Sequence, residues 1–403
     1  MPKGNAGFVG KMEDVLDAHK RPDDPKHPTT GVNGPLRALH IFASLNRGGA
    51  ETWLMDVVRS TSRAELQIDV CLIGAAGGLY EEEFERLGGR ILRCPLGRNP
   101  WGFARRLTQL LTAERYDIVH SHVYYFSGVI LRSAARAGVA KRIAHIHPAE
   151  DRRNTTLSRR LYVKWMRRWI GRYGTRFVGP TKASLEGFWG PGWEADPGKR
   201  VIYNGIRTER FVRPVNRAEV RSELGIPENA PLVLNVSRFA PHKRHEFLVN
   251  VAGEVLAQRD DVYFLLIGAG ALRESVEARV RAKGLTDHFR FISGLPDIDR
   301  YWMSADVFAF PSCNEGFGIV VVEAAAAGLP VIAQDIPGVR EAVDACAEAT
   351  LLPLDTSAAD WARVLTDALK TPRISESQRQ ARLRRFPFTL SASIEALRNL
   401  YAE

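Results

Sequence analysis

Only four cysteines occur in the 403 residues, Cys71, Cys94, Cys313 and Cys346, widely separated and without a Cys-x-x-Cys pair. That spacing excludes a disulfide framework and a zinc-finger type of site. It suits a reducing compartment in which the thiols are packing residues. Long apolar runs are missing too, since no stretch approaches the roughly 18 residues that a spanning helix needs. The first 35 residues are polar and contain Pro, Asp, Lys and His, so no signal peptide is read there and the chain is expected to stay in the cytoplasm. Acidic residues are fewer than basic ones, 46 against 56, which leaves a formal charge of +10. An anionic partner is favoured, whether nucleotide, anionic lipid or nucleic acid, although net charge speaks to association and not to fold or reaction.

What is present is a globular composition, 45% hydrophobic and 25% charged, in a chain too long for one ordinary core, so two domains are expected. Residues 1–35 show no periodicity and read as a flexible extension. Strands then alternate with helices. The first set of strands is read at 36–45, 66–73, 90–94, 117–120, 142–147 and 176–179, and a second set at 232–237, 262–268, 289–293, 307–310 and 330–333. This rhythm predicts an α/β chain with two Rossmann-like domains, each a doubly wound parallel sheet, at 36–205 and 206–375. A helical segment at 376–403 is expected to cross back to the first domain. Two such units facing one another leave a cleft, and ligands bind at the carboxyl ends of the strands.

The densest signal is Cys313-Asn314-Glu315-Gly316-Phe317-Gly318-Ile319-Val320-Val321-Val322-Glu323-Ala324. Glu315 falls on a strand-to-helix turn and Glu323 on a helix otherwise made of Val, Ile and Ala. A carboxylate there costs several kcal/mol unless something satisfies it, and a pair of sugar hydroxyls is one such partner. The turn itself offers backbone N–H groups at a helix N-terminus, which suits phosphate. Arg238 and Lys243 leave the strand 232–237 five residues apart across a proline turn, so that both cations can reach one diphosphate. Near the start, Gly48 and Gly49 precede a helix and let backbone amides approach a ligand, while Glu51 reads equally as a capping acid. Gly268-Ala269-Gly270 superficially suggests a dinucleotide fingerprint, but Arg273 stands where close helix packing needs a small residue. Histidines recur as His120-Ser121-His122 and His145-Ile146-His147. Each pair lies on one face of a strand, with structural hydrogen bonding and ligand contact both open, and His147 before Pro148 is the better functional candidate. Metal binding needs a third ligand whose geometry the sequence does not give, and no Asp-x-Asp appears among the likely cleft loops, so no metal is expected. Residues 152–176 carry nine basic and no acidic residues. Tyr162, Trp165, Met166, Trp169 and Tyr173 are expected on one helical face and Arg160, Lys164, Arg167 and Arg168 on the other, a pattern open to sheet packing, to anionic lipid, or to both.

In their order, Asn46-Arg47-Gly48-Gly49-Ala50-Glu51, Asp117 to His122, Val201-Ile202-Tyr203-Asn204-Gly205-Ile206, Arg238 with Lys243, Glu315 through Glu323, and Gly328 to Ala333 resemble the retaining nucleotide-sugar glycosyltransferases of family 4. The resemblance spans about residues 36–400 and implies the GT-B architecture of two facing Rossmann-like domains. It implies that Arg238 and Lys243 hold the donor diphosphate, with Gly48, Gly49, Asn204 and the amides of Phe317, Gly318 and Ile319 also at the substrate. Glu323 would take the ribose hydroxyls, Glu315 the donor sugar, and His147 would lie beside the reacting centre. The implied reaction is hexosyl transfer with retention from a nucleoside diphosphate sugar, UDP favoured and GDP the alternative, with no metal and no other cofactor. The wording His-Ser-His followed by Arg142 to His147 looks most like bacterial enzymes of exopolysaccharide or capsule assembly. Their acceptors are glycans or lipid-pyrophosphate oligosaccharides at the inner face of the cytoplasmic membrane, which would give the basic segment 152–176 an anionic surface to meet. Ser237 stands where the family usually has glycine. An epimerase of the same architecture and transfer to a soluble small-molecule acceptor are the alternatives. A dehydrogenase fails at Arg273, and a nucleic-acid or membrane module does not account for the two glutamates.

Overall fold

The computed structural model describes residues 35–74, 77–147, 156–293, 298–346 and 348–403. Apart from Pro35, the expected extension lies outside the described residues. The chain divides into two compact units. One comprises the described residues up to Ile146 with those of Asp151–Val178 and Glu194–Arg200. The other comprises His147, Gly179–Trp193 and Val201–Glu403.

The first unit is built on a seven-stranded sheet of β1 (Arg37–Phe42), β2 (Gln67–Leu72), β3 (Ile91–Arg93), β4 (Ile118–Ser121), β5 (Lys141–His145), β6 (Arg176–Gly179) and β7 (Lys199–Val201), in the order β3-β2-β1-β4-β5-β6-β7. Five of the six β1 residues are buried, as are all four of β4, because a parallel sheet covered by helices on both faces shows apolar runs and not alternation. Helix Pro100–Glu114 starts where sequence logic puts a start: the Asn99 side chain accepts from the amides of Trp101 and Gly102, and proline takes the first helical position.

The second unit has β8 (Leu232–Val236), β9 (Tyr263–Ile267), β10 (Phe289–Ile292), β11 (Val307–Phe310), β12 (Val331–Gln334) and β13 (Ala349–Leu352), in the order β10-β9-β8-β11-β12-β13. Successive residues of one strand feed two cores. Leu232, Leu234, Phe308 and Phe310 join the cluster on one face, whereas Val233, Val307 and Ala309 join the cluster on the other. The edge strands β7 and β13 were not expected. Both are short and mostly half-buried, so neither shows the apolar run that marks an inner strand. The helices Glu376–Leu383, which opens on a Ser375/Gln378 capping box, and Leu390–Ala402 belong to this unit. Ser393 Oγ donates to the carbonyl of Tyr203 at 2.8 Å.

In both sheets the strand order reverses beside the first strand, between β1 and β4 and between β8 and β11. Loops leaving the carboxyl ends of two strands at such a point diverge to opposite faces and open a crevice. The motif Gly48-Gly49 follows β1, Arg238 and Lys243 follow β8, and Glu315 follows β11.

Candidate active site

In the second unit the loops after β8 and β11 are tied together. The Lys243 ammonium meets Glu315 Oε1 at 2.5 Å, both side chains being 13% exposed. Ser312 Oγ donates to the same oxygen. The carbonyl of His242 accepts from the Cys313 amide at 2.9 Å, and Ser312 Oγ, whose one proton goes to Glu315, lies 3.2 Å from the same carbonyl. Lys243 also stands 5.1 Å from the centroid of Phe310, a cation–π distance. Two residues read separately from the sequence, a phosphate-binding cation and a sugar-binding carboxylate, are thus one ion pair here. Arg238 is exposed. His242 titrates below the usual histidine range, first through burial and then through the positive charges of Lys243 and Arg238. The local backbone depends on glycine: a Cβ on Gly268 would collide with the Ser237 carbonyl and one on Gly270 with Phe239. The Gly-x-Gly spelling therefore serves loop packing on the β8 exit, while Arg273 pairs with Glu277 at 2.7 Å.

Beyond Glu315 the chain passes under the backbone of His147. A Cβ on Gly316 would fall far inside contact distance of the His147 carbonyl oxygen. The Gly316 carbonyl accepts from Thr181 Oγ1 at 2.9 Å and from Ser184 Oγ at 3.3 Å. His147 retains some exposed surface, yet desolvation of its ring lowers its pKa to about 4, so the imidazole is neutral at neutral pH. Phe317 is buried against Tyr203 and Phe388, leaving its amide and not its ring as the group available to a ligand. Gly318 adopts φ +69 as the N-cap of helix Ile319–Ala326 and supplies no capping side chain. That helix start keeps the anion-binding character expected of it. Asn204 is 5% exposed, and its Oδ1 has no hydrogen-bond partner among the described residues.

Glu323 is 7% exposed on the same helix, but its partner comes from the chain itself. Arg210 Nη1 reaches Glu323 Oε1 at 3.4 Å, and the rest of that guanidinium forks onto Asp299, with Nε 2.9 Å from both carboxylate oxygens. The partner that a carboxylate in this apolar setting calls for is thus supplied at least in part by Arg210, and a sugar hydroxyl pair would add to it. Arg210 and His242 lie outside the recognisable motifs, and only the fold brings Arg210 to Glu323 and the His242 carbonyl to the Glu315 loop, whereas Ser312 stands three residues before Glu315.

Gly48 and Gly49 belong to the first unit, as N-cap and first residue of helix Gly49–Ser60. The Glu51 carboxylate folds back over Gly48, as a capping acid does. Beneath, the switch point of the sheet carries His40, His120, His122 and His145, all buried. His40 Nδ1 and His122 Nε2 are 3.0 Å apart, and burial lowers the pKa of His40 to about 3. His40, His120 and His122 offer nitrogens within 4.8 Å of one another, so these three could hold a metal ion. However, His40 Nδ1 and His122 Nε2 already hydrogen-bond to one another, and an ion held by those two nitrogens would have to replace that bond. In helix Leu157–Tyr173 only Met166 and Ile170 are buried. Trp165 and Trp169 are half-buried, and Trp169 meets Trp101 edge-on with the Arg132 guanidinium 4.7 Å from its ring. The aromatic stripe thus packs less deeply than a helix lying on the sheet would require. Residues 152–155 of the basic segment lie outside the described residues.

Residues 48–205 match the family described as glycosyl transferase 4-like domain, and residues 216–385 match glycosyl transferases group 1. A D-inositol 3-phosphate glycosyltransferase of Kineococcus radiotolerans is 31% identical over 319 residues, 72% of this chain and 72% of that protein. The chain belongs to glycosyltransferase family 4. A Bacillus subtilis protein carrying the glycosyltransferase name EpsF is 28% identical over 370 residues, 91% of this chain and 96% of its own. The fold matches that of HepE of Anabaena, solved in complex with UDP-glucose, at TM-score 0.74 and 20% identity, with 91% of this chain and 99% of that one covered. This glycosyltransferase therefore has the GT-B fold, with a Rossmann-like parallel sheet in each unit. No helix among the described residues is long and apolar enough to cross a membrane.

Proposed function

We propose that this glycosyltransferase moves a hexosyl group, with retention and without a metal, from a UDP-sugar, or alternatively a GDP-sugar, to a hydroxyl of a glycan or lipid-linked oligosaccharide in polysaccharide assembly. The observation that carries the reading is the Lys243–Glu315 pair at the β8/β11 switch point, beside Arg238 and the uncapped helix start at Gly318. In the reaction the bond from the anomeric carbon to the β-phosphate oxygen breaks while the acceptor oxygen bonds to that carbon on the face being vacated. The acceptor proton passes to the departing phosphate oxygen. Negative charge grows on the diphosphate, where Arg238, Lys243 and the amides of Phe317, Gly318 and Ile319 are preorganised to receive it. Lys243 exchanges Glu315 for phosphate, which turns the Glu315 carboxylate toward the sugar hydroxyls. Neutral His147 accepts or donates a hydrogen bond without adding charge beside the cationic anomeric carbon. Glu323 takes the ribose, and Asn204 with its unsatisfied oxygen, together with Gly48 and Gly49, completes the substrate contacts. The donor preference is supported by the UDP-glucose complex of HepE.

The polysaccharide reading is supported by the motif wording of the first unit and by the exposed basic face of helix Leu157–Tyr173, which suits the inner surface of the cytoplasmic membrane. A second reading, transfer to a soluble small-molecule acceptor, is favoured by the name of the Kineococcus relative. The experiment is a thermal-shift panel of UDP-, GDP-, ADP- and dTDP-sugars with NAD(H), followed by turnover with and without EDTA. Stabilisation by one nucleotide-sugar series and an EDTA-insensitive rate are expected. A shift with NAD(H) alone overturns the donor site, and strong inhibition by EDTA overturns the metal-free mechanism.

A further inference from the structure

Arg210 links three elements that are distant in sequence. It lies on the turn Thr208–Phe211, its Nε and Nη2 grip Asp299 at the start of helix Asp299–Ser304, and its Nη1 faces Glu323 on helix Ile319–Ala326. The fork on Asp299 fixes the plane of the guanidinium, because two parallel N–H···O bonds leave it little rotational freedom. The remaining contact, 3.4 Å to Glu323 Oε1, is long for a charge-assisted bond. That bond takes up one of the roughly four acceptor positions that a carboxylate offers. Both side chains are nearly buried, 14% and 10% exposed. In that setting a glutamate without its cation would neutralise or swing away from the apolar helix face.

We propose that Arg210 is a positioning residue of the donor site, which orients the Glu323 carboxylate for a vicinal ribose diol and so sets a preference for ribonucleoside over 2′-deoxyribonucleoside diphosphates. The inference rests on the assignment of Glu323 to the ribose. A diol donates both hydroxyls to one carboxylate only if that carboxylate is ionised and correctly turned. With the 2′-hydroxyl removed, one charge-assisted hydrogen bond is lost, which corresponds to about tenfold in affinity. Arg210 acts on that difference through Glu323 and does not itself touch the nucleotide. A purely structural staple would have another signature, because its removal lowers stability and weakens both nucleotides equally.

The test is calorimetric titration of the full chain, wild type, Arg210→Gln and Asp299→Asn, with UDP and 2′-deoxy-UDP, alongside melting curves without nucleotide. The wild type is expected to favour UDP by about tenfold. Arg210→Gln should reduce that ratio to about twofold or less, and Asp299→Asn, which frees the guanidinium plane, should give an intermediate value. If Arg210→Gln does not fold, the Asp299→Asn ratio decides. A wild type that discriminates with variants that discriminate equally well overturns the role of Arg210 alone. A wild type that binds both nucleotides alike, or neither, overturns the ribose assignment of Glu323 and this inference with it.

Discussion

Gly316→Ala places a methyl group against the carbonyl oxygen of His147, and the size of the effect follows from the backbone. The oxygen must retreat by about 1.2 Å to restore the 3.0 Å that real Cβ contacts respect, and the carbonyl carbon, 2.9 Å from the new atom, must move with it. Neither side of the contact yields easily. The Gly316 carbonyl is held by Thr181 and Ser184, and Gly338 packs so closely on Glu315 and Gly316 that it admits no Cβ either. Overpacking of this kind costs about 1–3 kcal/mol, a fall of a few degrees in Tm for a chain of this size. The larger effect is expected in catalysis. Glu315 is the preceding residue and its carboxylate is held 2.5 Å from Lys243, so a shift of about 1 Å in the loop displaces the ion pair. A misplacement of that size costs on the order of 100-fold in turnover. The assay is kcat with the best donor of the panel, together with a thermal melt. Gly253→Ala is the control, since it lies in helix His245–Leu256 with nothing within 4 Å of a new Cβ, and it should gain about 0.5–1 kcal/mol with kcat unchanged. A Gly316→Ala enzyme with wild-type kcat and Tm refutes the steric argument and its link to Glu315.

Lys243→Ala and Arg238→Ala should each remove about 2–4 kcal/mol of transition-state stabilisation, a 30- to 1000-fold loss in kcat, and an unchanged kcat in either variant removes that cation from the diphosphate site. His40 and His245 have their pKa lowered by burial to about 3 and about 4, so between those values and 6.5 the unfolded chain binds more protons than the folded one. Stability is therefore complete above pH 6.5 and lost as the pH falls toward 4, at about 1.4 kcal/mol per pH unit for each histidine, and a urea midpoint that stays constant from pH 7 to 5 contradicts this. Changing Arg160, Lys164, Arg167 and Arg168 together to Gln should lower partition onto anionic vesicles by about tenfold or more while neutral vesicles show no change. Undiminished binding to anionic vesicles removes this face from the membrane reading.

Much of the second unit was legible because its inner strands are short, largely apolar runs, two of them followed at once by Gly268 and Pro311. Val307–Phe310 before Pro311 needs burial on both faces, and the structure buries all four residues. The start of helix Ile319–Ala326 was equally plain, since Gly318 can take the left-handed φ that the turn requires. The edge strands were not, because Lys199–Val201 and Ala349–Leu352 pair on one side only and need not be apolar throughout. The aromatic stripe of helix Leu157–Tyr173 was placed correctly along the chain, but its periodicity overstated how deeply it is buried.

Local chemistry alone determined that this chain would form alternating strands and helices, and that glycines, a proline turn and two glutamates would stand at strand ends. Those choices depend on torsional freedom and on burial over a few residues. Only the tertiary structure decided that β8 lies beside β11, which sets Lys243 against Glu315 across 72 residues, and that Arg210 crosses 113 residues to become the partner of Glu323. Ion pairs of that kind arise from strand order and helix packing, which depend on the sum of many weak contacts over the whole unit and leave no mark on the spacing of any single motif.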